Sequence, residues 1–180
     1  MSITLTSADF GGNFVLSRAG AATANVSGIA GAVTTLAAQA ITFTIGGKLY
    51  YATAATIGTV TPTTDYVTGS AFKTLGKNQG CVFVWGLTSA GALKVIQGPL
   101  PVQAGTTGVV TNVDDSGNWS LTPQFPAVPD DICPIAYTVV RATSSYAGTG
   151  FRFGSDAWNT TGIVLATQDL FALPAVPQIS

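Results

Sequence analysis

The chain has 180 residues, of which 47% are hydrophobic and only 8% charged, where an ordinary soluble domain carries roughly 25% charged residues. Histidine and glutamate are both absent, all 8 acidic residues are aspartates, and the 7 basic residues are scattered singly. This excludes the usual general base and the commonest metal ligand, leaves no basic patch for nucleic acid, and, at a formal net charge of −1, favours association over dispersal.

The polar surface must come from Thr, Ser, Asn and Gln. Either much of the surface is covered by neighbouring copies or another protein, or a monomer is solvated by hydroxyls and amides; large exposed apolar patches favour the first reading. Thr and Val also suit pleated, half-buried strands, whereas the strong helix formers Glu and Lys are absent or rare.

The first forty residues differ from the rest. Gly11-Gly12 divides two short strand-like runs, and a Gly/Ala/Ser/Thr-rich stretch follows. Within it Val26, Ile29, Val33 and Leu36 recur at the spacing of one face of a short helix, which makes them candidate assembly contacts. Gly28 and Gly31 weaken that pattern, and a flexible or partner-docked arm fits equally well. The uncharged stretch between Arg18 and Lys48 is too diluted by small and polar residues to read as a membrane span. The start, Met-Ser-Ile-Thr-Leu-Thr, lacks the basic and apolar regions of a secretory signal. The expected division is an irregular or partly helical arm over 1–40 and a β-domain over 41–180.

From Ile41 the alternation is clear. Ile41, Phe43 and Ile45 alternate with threonines, Gly46-Gly47 follows, and Lys48-Leu49-Tyr50-Tyr51-Ala52 returns. Two glycines between such runs predict a hairpin, with Phe43 facing Tyr50 as its core pair. A second hairpin is predicted over 81–97. Its first strand, Cys81-Val82-Phe83-Val84-Trp85, is apolar on both faces, as in a central core strand or a subunit contact. Residues 109–113 and 119–121 flank the turn formers Asp114-Asp115-Ser116-Gly117-Asn118. Residues 132–142 read as a long strand interrupted near its start by Pro134, and the glycine-rich run 148–154 as a mobile loop entering a strand. Pro126-Ala127-Val128-Pro129 recurs at 174–177, an echo too short to mark a duplication. Short strands separated by turns, without a long amphipathic helix, predict an all-β fold: an antiparallel sandwich or jelly-roll-like domain.

The chemistry left to such a chain is sparse. Cys81 and Cys133 lie in apolar runs, where buried free thiols are the commoner case, although a disulfide is open. No phosphate-binding glycine loop or zinc-ligand spacing is present, and no cofactor is expected. Asp114/Asp115 and Asp130/Asp131 could each lend one carboxylate to a glycosidase, but adjacent strand residues face opposite ways and both doublets sit among turn formers. Asp114, Ser116 and Asn118 have the alternate spacing of a calcium loop without its closing acidic ligand. Asn25, Asn118 and Asn159 begin glycosylation sequons of the kind that arise by chance in a Thr-rich chain. Trp119 and Trp158, with Tyr146, could stack on a sugar; filling the core or an interface is the stronger expectation. The protein is not expected to be an enzyme.

Three segments occur in one order: the Gly46-Gly47-Lys48-Leu49-Tyr50-Tyr51 hairpin, the Cys81 strand with its Ala90-Gly91 turn, and Phe125-Pro126-Ala127-Val128-Pro129-Asp130-Asp131-Ile132-Cys133-Pro134-Ile135-Ala136-Tyr137. Together, over roughly residues 40–170, they resemble a loosely defined family of small structural proteins of tailed bacteriophages. That family shows a Gly-Lys-x-Tyr hairpin, a Pro-x-x-Pro connector and a Cys-Pro-Ile-Gly-Tyr-like strand; Ala136 stands here in place of the glycine. The resemblance implies a virion component assembled in the host cytoplasm. It would be a capsid decoration (cement) protein, as a homo-oligomer with a trimer favoured, bound to the major capsid protein or another virion protein. The alternative is a fibre or tail-associated adhesin that binds host-surface glycan through Trp119 and Trp158. Neither nucleic acid nor membrane is an expected partner.

Overall fold

The structure, a computed structural model, describes residues 12–18, 24–25, 35–36, 40–53, 61–101 and 110–170. The strands among them are β1 (Val15–Arg18), β2 (Ala24–Asn25), β3 (Thr35–Leu36), β4 (Ile41–Ile45), β5 (Lys48–Ala52), β6 (Gln79–Thr88), β7 (Leu93–Gln97), β8 (Ile132–Ala142) and β9 (Ile163–Asp169). One sheet has the order β1-β4-β5 and another β7-β6-β8-β9, with every pairing antiparallel; β2 and β3 form a separate two-stranded ribbon. The described residues contain no helix, and the fold is an all-β sandwich.

The β4–β5 hairpin follows from its glycines. Gly46 and Gly47 take φ of 56° and 75°, the left-handed pair that a tight primed turn requires. This fixes the register Ile45↔Lys48, Phe43↔Tyr50 and Ile41↔Ala52. The Phe43 and Tyr50 rings stack at 5.8 Å, Phe43 fully buried and Tyr50 half-buried against the core.

β6 and β8 are the central strands, buried along nearly their whole length on both faces. One face carries Cys81, Phe83, Trp85 and Leu87, which join Phe43, Ile41 and Val15 of the other sheet in the main core. The opposite face carries Val82, Val84, Tyr137 and Val139, covered by Trp119, Phe125 and Val128 from the irregular segment before β8. Pro134 is accommodated by a bulge: Trp85 pairs with Ala136 but Gly86 with Pro134, so Ile135 is the extra residue. The bulge changes the parity of the strand, and Cys133, Ile135 and Ala136 all reach the main core. Pro134 sits opposite Gly86 of β6 at this bulge, just before β9 begins to pair with β8 at Ala136.

Three expectations are corrected. The boundary at residue 40 falls inside a sheet, because β1 pairs with β4 and Val15 lies in the core. Asn13 reinforces this, donating to the carbonyls of Asp130 (2.8 Å) and Ile132 (2.7 Å) and accepting from the Gly46 amide (2.9 Å). The helical face is not formed at Leu36, which pairs with Ala24 in the β2–β3 ribbon; glycine-rich sequence offers a helix little. Val26, Ile29 and Val33 lie outside the described residues, as does the repeat at 174–177. The glycine-rich run 148–154 is anchored in the core by Phe151 and Phe153, while Gly148, Thr149 and Arg152 stay exposed. Phe151 exchanges backbone hydrogen bonds with Leu75, both 2.8 Å, and Phe153 stacks on Phe83 at 4.0 Å.

Candidate functional site

Several aspartates are engaged in hydrogen bonds that hold turns or join distant segments. The Asp114 carboxylate accepts from the Asn118 amide at 2.8 Å, and Asp115 accepts from the Asn78 side chain at 2.7 Å. Asp131 accepts from the Tyr66 hydroxyl at 2.7 Å, and that bond is the main reason the Tyr66 phenol is pushed above its ordinary value. Asp65 is buried and binds the Gln97 amide (3.1 Å) with one oxygen and the Thr68 amide and hydroxyl (3.1 and 2.8 Å) with the other. The two aspartate doublets therefore sit in separate turns, Asp114 holding a backbone amide of its own turn and Asp115 and Asp131 each bound to a side chain distant in sequence. Among the described residues no three His, Cys, Asp or Glu side chains are grouped to hold a metal ion.

Cys81 and Cys133 are both free and buried. Desolvation pushes each thiol up to about 12, although the Cys81 thiol donates to the Gly98 carbonyl at 3.1 Å. Such thiols are protonated and neither nucleophilic nor ligating.

The structure does not bring the tryptophans together. Trp158 is 3% exposed, wedged in the main core between Trp85 (6.3 Å) and Phe153 (4.8 Å), so it has no ring face to offer a sugar. Trp119 lies half-buried on the other face of the large sheet, with the Arg141 guanidinium 5.9 Å from its ring. Tyr146 is buried as well. For Trp158 and Tyr146 the glycan-stacking expectation is corrected on this geometry, because rings that fill a core are not available to a ligand; Trp119 is half-buried and stands apart from both.

What the molecule does expose is apolar strand surface. Leu49 and Tyr51 are each 66% exposed and, two residues apart on β5, share the solvent face of an edge strand. Only Lys48 brings charge to that strand. The sequence carried the signal: once Phe43 and Tyr50 face inward, Leu49 and Tyr51 must face outward. A groove lined by Pro99, Leu100, Leu121 and Pro123, from the segments that follow β7 and precede β8, adds a second apolar feature.

The fold class is an all-β sandwich in which, among the described residues, the outer edge of β5 is unpaired and apolar. No protein-family model matches the chain, and neither a curated protein nor a solved structure matches it.

Proposed function

We propose that the protein is a structural component of a tailed-phage particle, a capsid decoration protein that works through subunit and capsid contacts and catalyses nothing. The observation that carries this reading is the pairing of a charge-poor sequence with the exposed Leu49–Tyr51 strand face. Chains with so few charges stay in solution poorly unless such surface is covered. Aspartates committed to turns and thiols sealed in the core support a role in which no side chain does chemistry. The phage setting rests on the order of the Gly-Lys-x-Tyr hairpin, the Pro-x-x-Pro connector and the Cys-Pro strand.

The test is direct. Purified particles are analysed by mass spectrometry and electron cryomicroscopy, with and without the gene for this chain. The expected result is the chain in stoichiometric amounts, with surface density on the shell that disappears in the deletion. Particles that lack the chain, or a density confined to the tail, refute the decoration role.

A further inference from the structure

We propose that the free edge of β5 is a homotypic contact: two copies join antiparallel, edge to edge, into one continuous sheet of order β1-β4-β5-β5-β4-β1. The proposal rests on the assembly reading above and names the surface through which copies meet.

The backbone geometry selects the groups involved. In a two-residue hairpin the residues flanking the turn form a hydrogen-bonded pair, and bonded and non-bonded pairs alternate from there. Ile45–Lys48, Phe43–Tyr50 and Ile41–Ala52 are thus the bonded pairs of β4 and β5. Leu49 and Tyr51 hold their amides and carbonyls outward, and among the described residues no strand pairs on that side.

The strand is self-complementary about Tyr50. An antiparallel register that sets Tyr50 opposite its symmetry mate puts Leu49 of each copy opposite Tyr51 of the other. Those residues hold the outward backbone groups, so both pairs exchange their bonds, about four in all. The same register places the two exposed apolar side chains side by side on one face. It also sets Lys48 opposite Ala52, so that the strand's sole charge meets no like charge.

The other edges are less suited. The outer side of β7 is covered, its Val95 carbonyl accepting from the Tyr66 amide at 2.9 Å and its Gln97 amide donating to Asp65 at 3.1 Å. β1 carries a bulge between Val15 and Ser17, which interrupts a flat pairing edge. β9 is open along 163–168 among the described residues, but the large apolar side chain on its solvent face is Val164 at 40% exposure, followed by Ala166 and Gln168. The five residues of β5 make a small interface, so dissociation in the micromolar range is expected.

Sedimentation equilibrium of the full chain at about 100 μM should give twice the 18.2 kDa chain mass. A Leu49→Lys/Tyr51→Lys variant, altered only at exposed positions, should keep its circular dichroism and melting temperature while its dissociation constant rises about tenfold or more. In the proposed register Tyr50 faces its mate in a non-bonded pair about 4.5 Å apart, a spacing that admits a disulfide. Mild oxidation should therefore cross-link Tyr50→Cys but not Leu49→Cys, the native thiols being buried. A monomeric wild type, a trimer, a dimer indifferent to the lysines, or cross-linking of Leu49→Cys instead each overturns the proposal. A chain present in particles yet monomeric in solution refutes this pairing alone; a lysine-sensitive dimer absent from particles refutes the phage reading alone.

Discussion

Thr138 ties three strands together through a single hydroxyl. Its oxygen accepts from the Trp85 indole at 2.9 Å and meets the Thr167 hydroxyl at 2.9 Å, fully buried between β6 and β9. Thr138→Val keeps the shape and strands the indole N–H, and should cost roughly 1–3 kcal/mol. Urea denaturation would measure this as a lower midpoint at unchanged slope, with Thr138→Ser retaining most of the stability. The two cysteines give a pH prediction. Their folded values, raised from 9.0 to about 12, mean that the folded state holds its thiol protons more tightly than the unfolded state. Stability from this source is complete below about pH 9 and falls between pH 9 and 12, by roughly 1.4 kcal/mol per pH unit for each thiol. Chemical denaturation of Cys81→Ala and the wild type from pH 8 to 11 should show a shallower decline in the variant.

Gly98 shows how tightly the elements are set. A Cβ there would lie 2.7 Å from the Gln124 carbonyl and 2.9 Å from the Val82 carbonyl, both backbone atoms. Gly98→Ala must push the 122–126 segment off the end of β6 and is expected to lower stability by about 2 kcal/mol, read as a shift of the thermal midpoint. At this scale the sequence was legible wherever turn chemistry was strong. The Gly-Gly hairpin, the Thr88–Gly91 turn and the long strand around Pro134 were readable because glycine and proline allow few backbones. β9 was not, since Val164, Ala166, Thr167 and Gln168 carry weak alternation and the strand forms by completing the sheet beside β8. Phe151 and Phe153 were misplaced because flanking glycines outweighed two alternating aromatics, the stronger physical signal.

For the molecule as a whole, the N-terminal segment decides whether the sandwich closes. Removing residues 1–40 takes away β1, the buried Val15 and the Asn13 clasp between the β4–β5 turn and the start of β8. Burial of Val15 alone contributes roughly 1.5–3 kcal/mol, and each kcal/mol moves the midpoint of a chain this size by roughly 2–4 °C. The truncated chain should therefore melt at least about 3 °C lower by calorimetry; an unchanged midpoint would restore the idea of a detachable arm. The proposed assembly surface was half legible. Missing charge raised the expectation of a covered surface, but locating an exposed apolar face depended on the parity that a hairpin register imposes on Leu49 and Tyr51.

The sealed thiols have a consequence for where this chain can operate. Thiol–disulfide exchange runs through the thiolate, and values near 12 leave about one part in 100,000 of each cysteine in that form at neutral pH, behind a closed core. Glutathione and atmospheric oxygen therefore find neither thiol reactive in the folded protein, and the two cysteines keep the same covalent state under reducing and oxidising conditions without a cross-link.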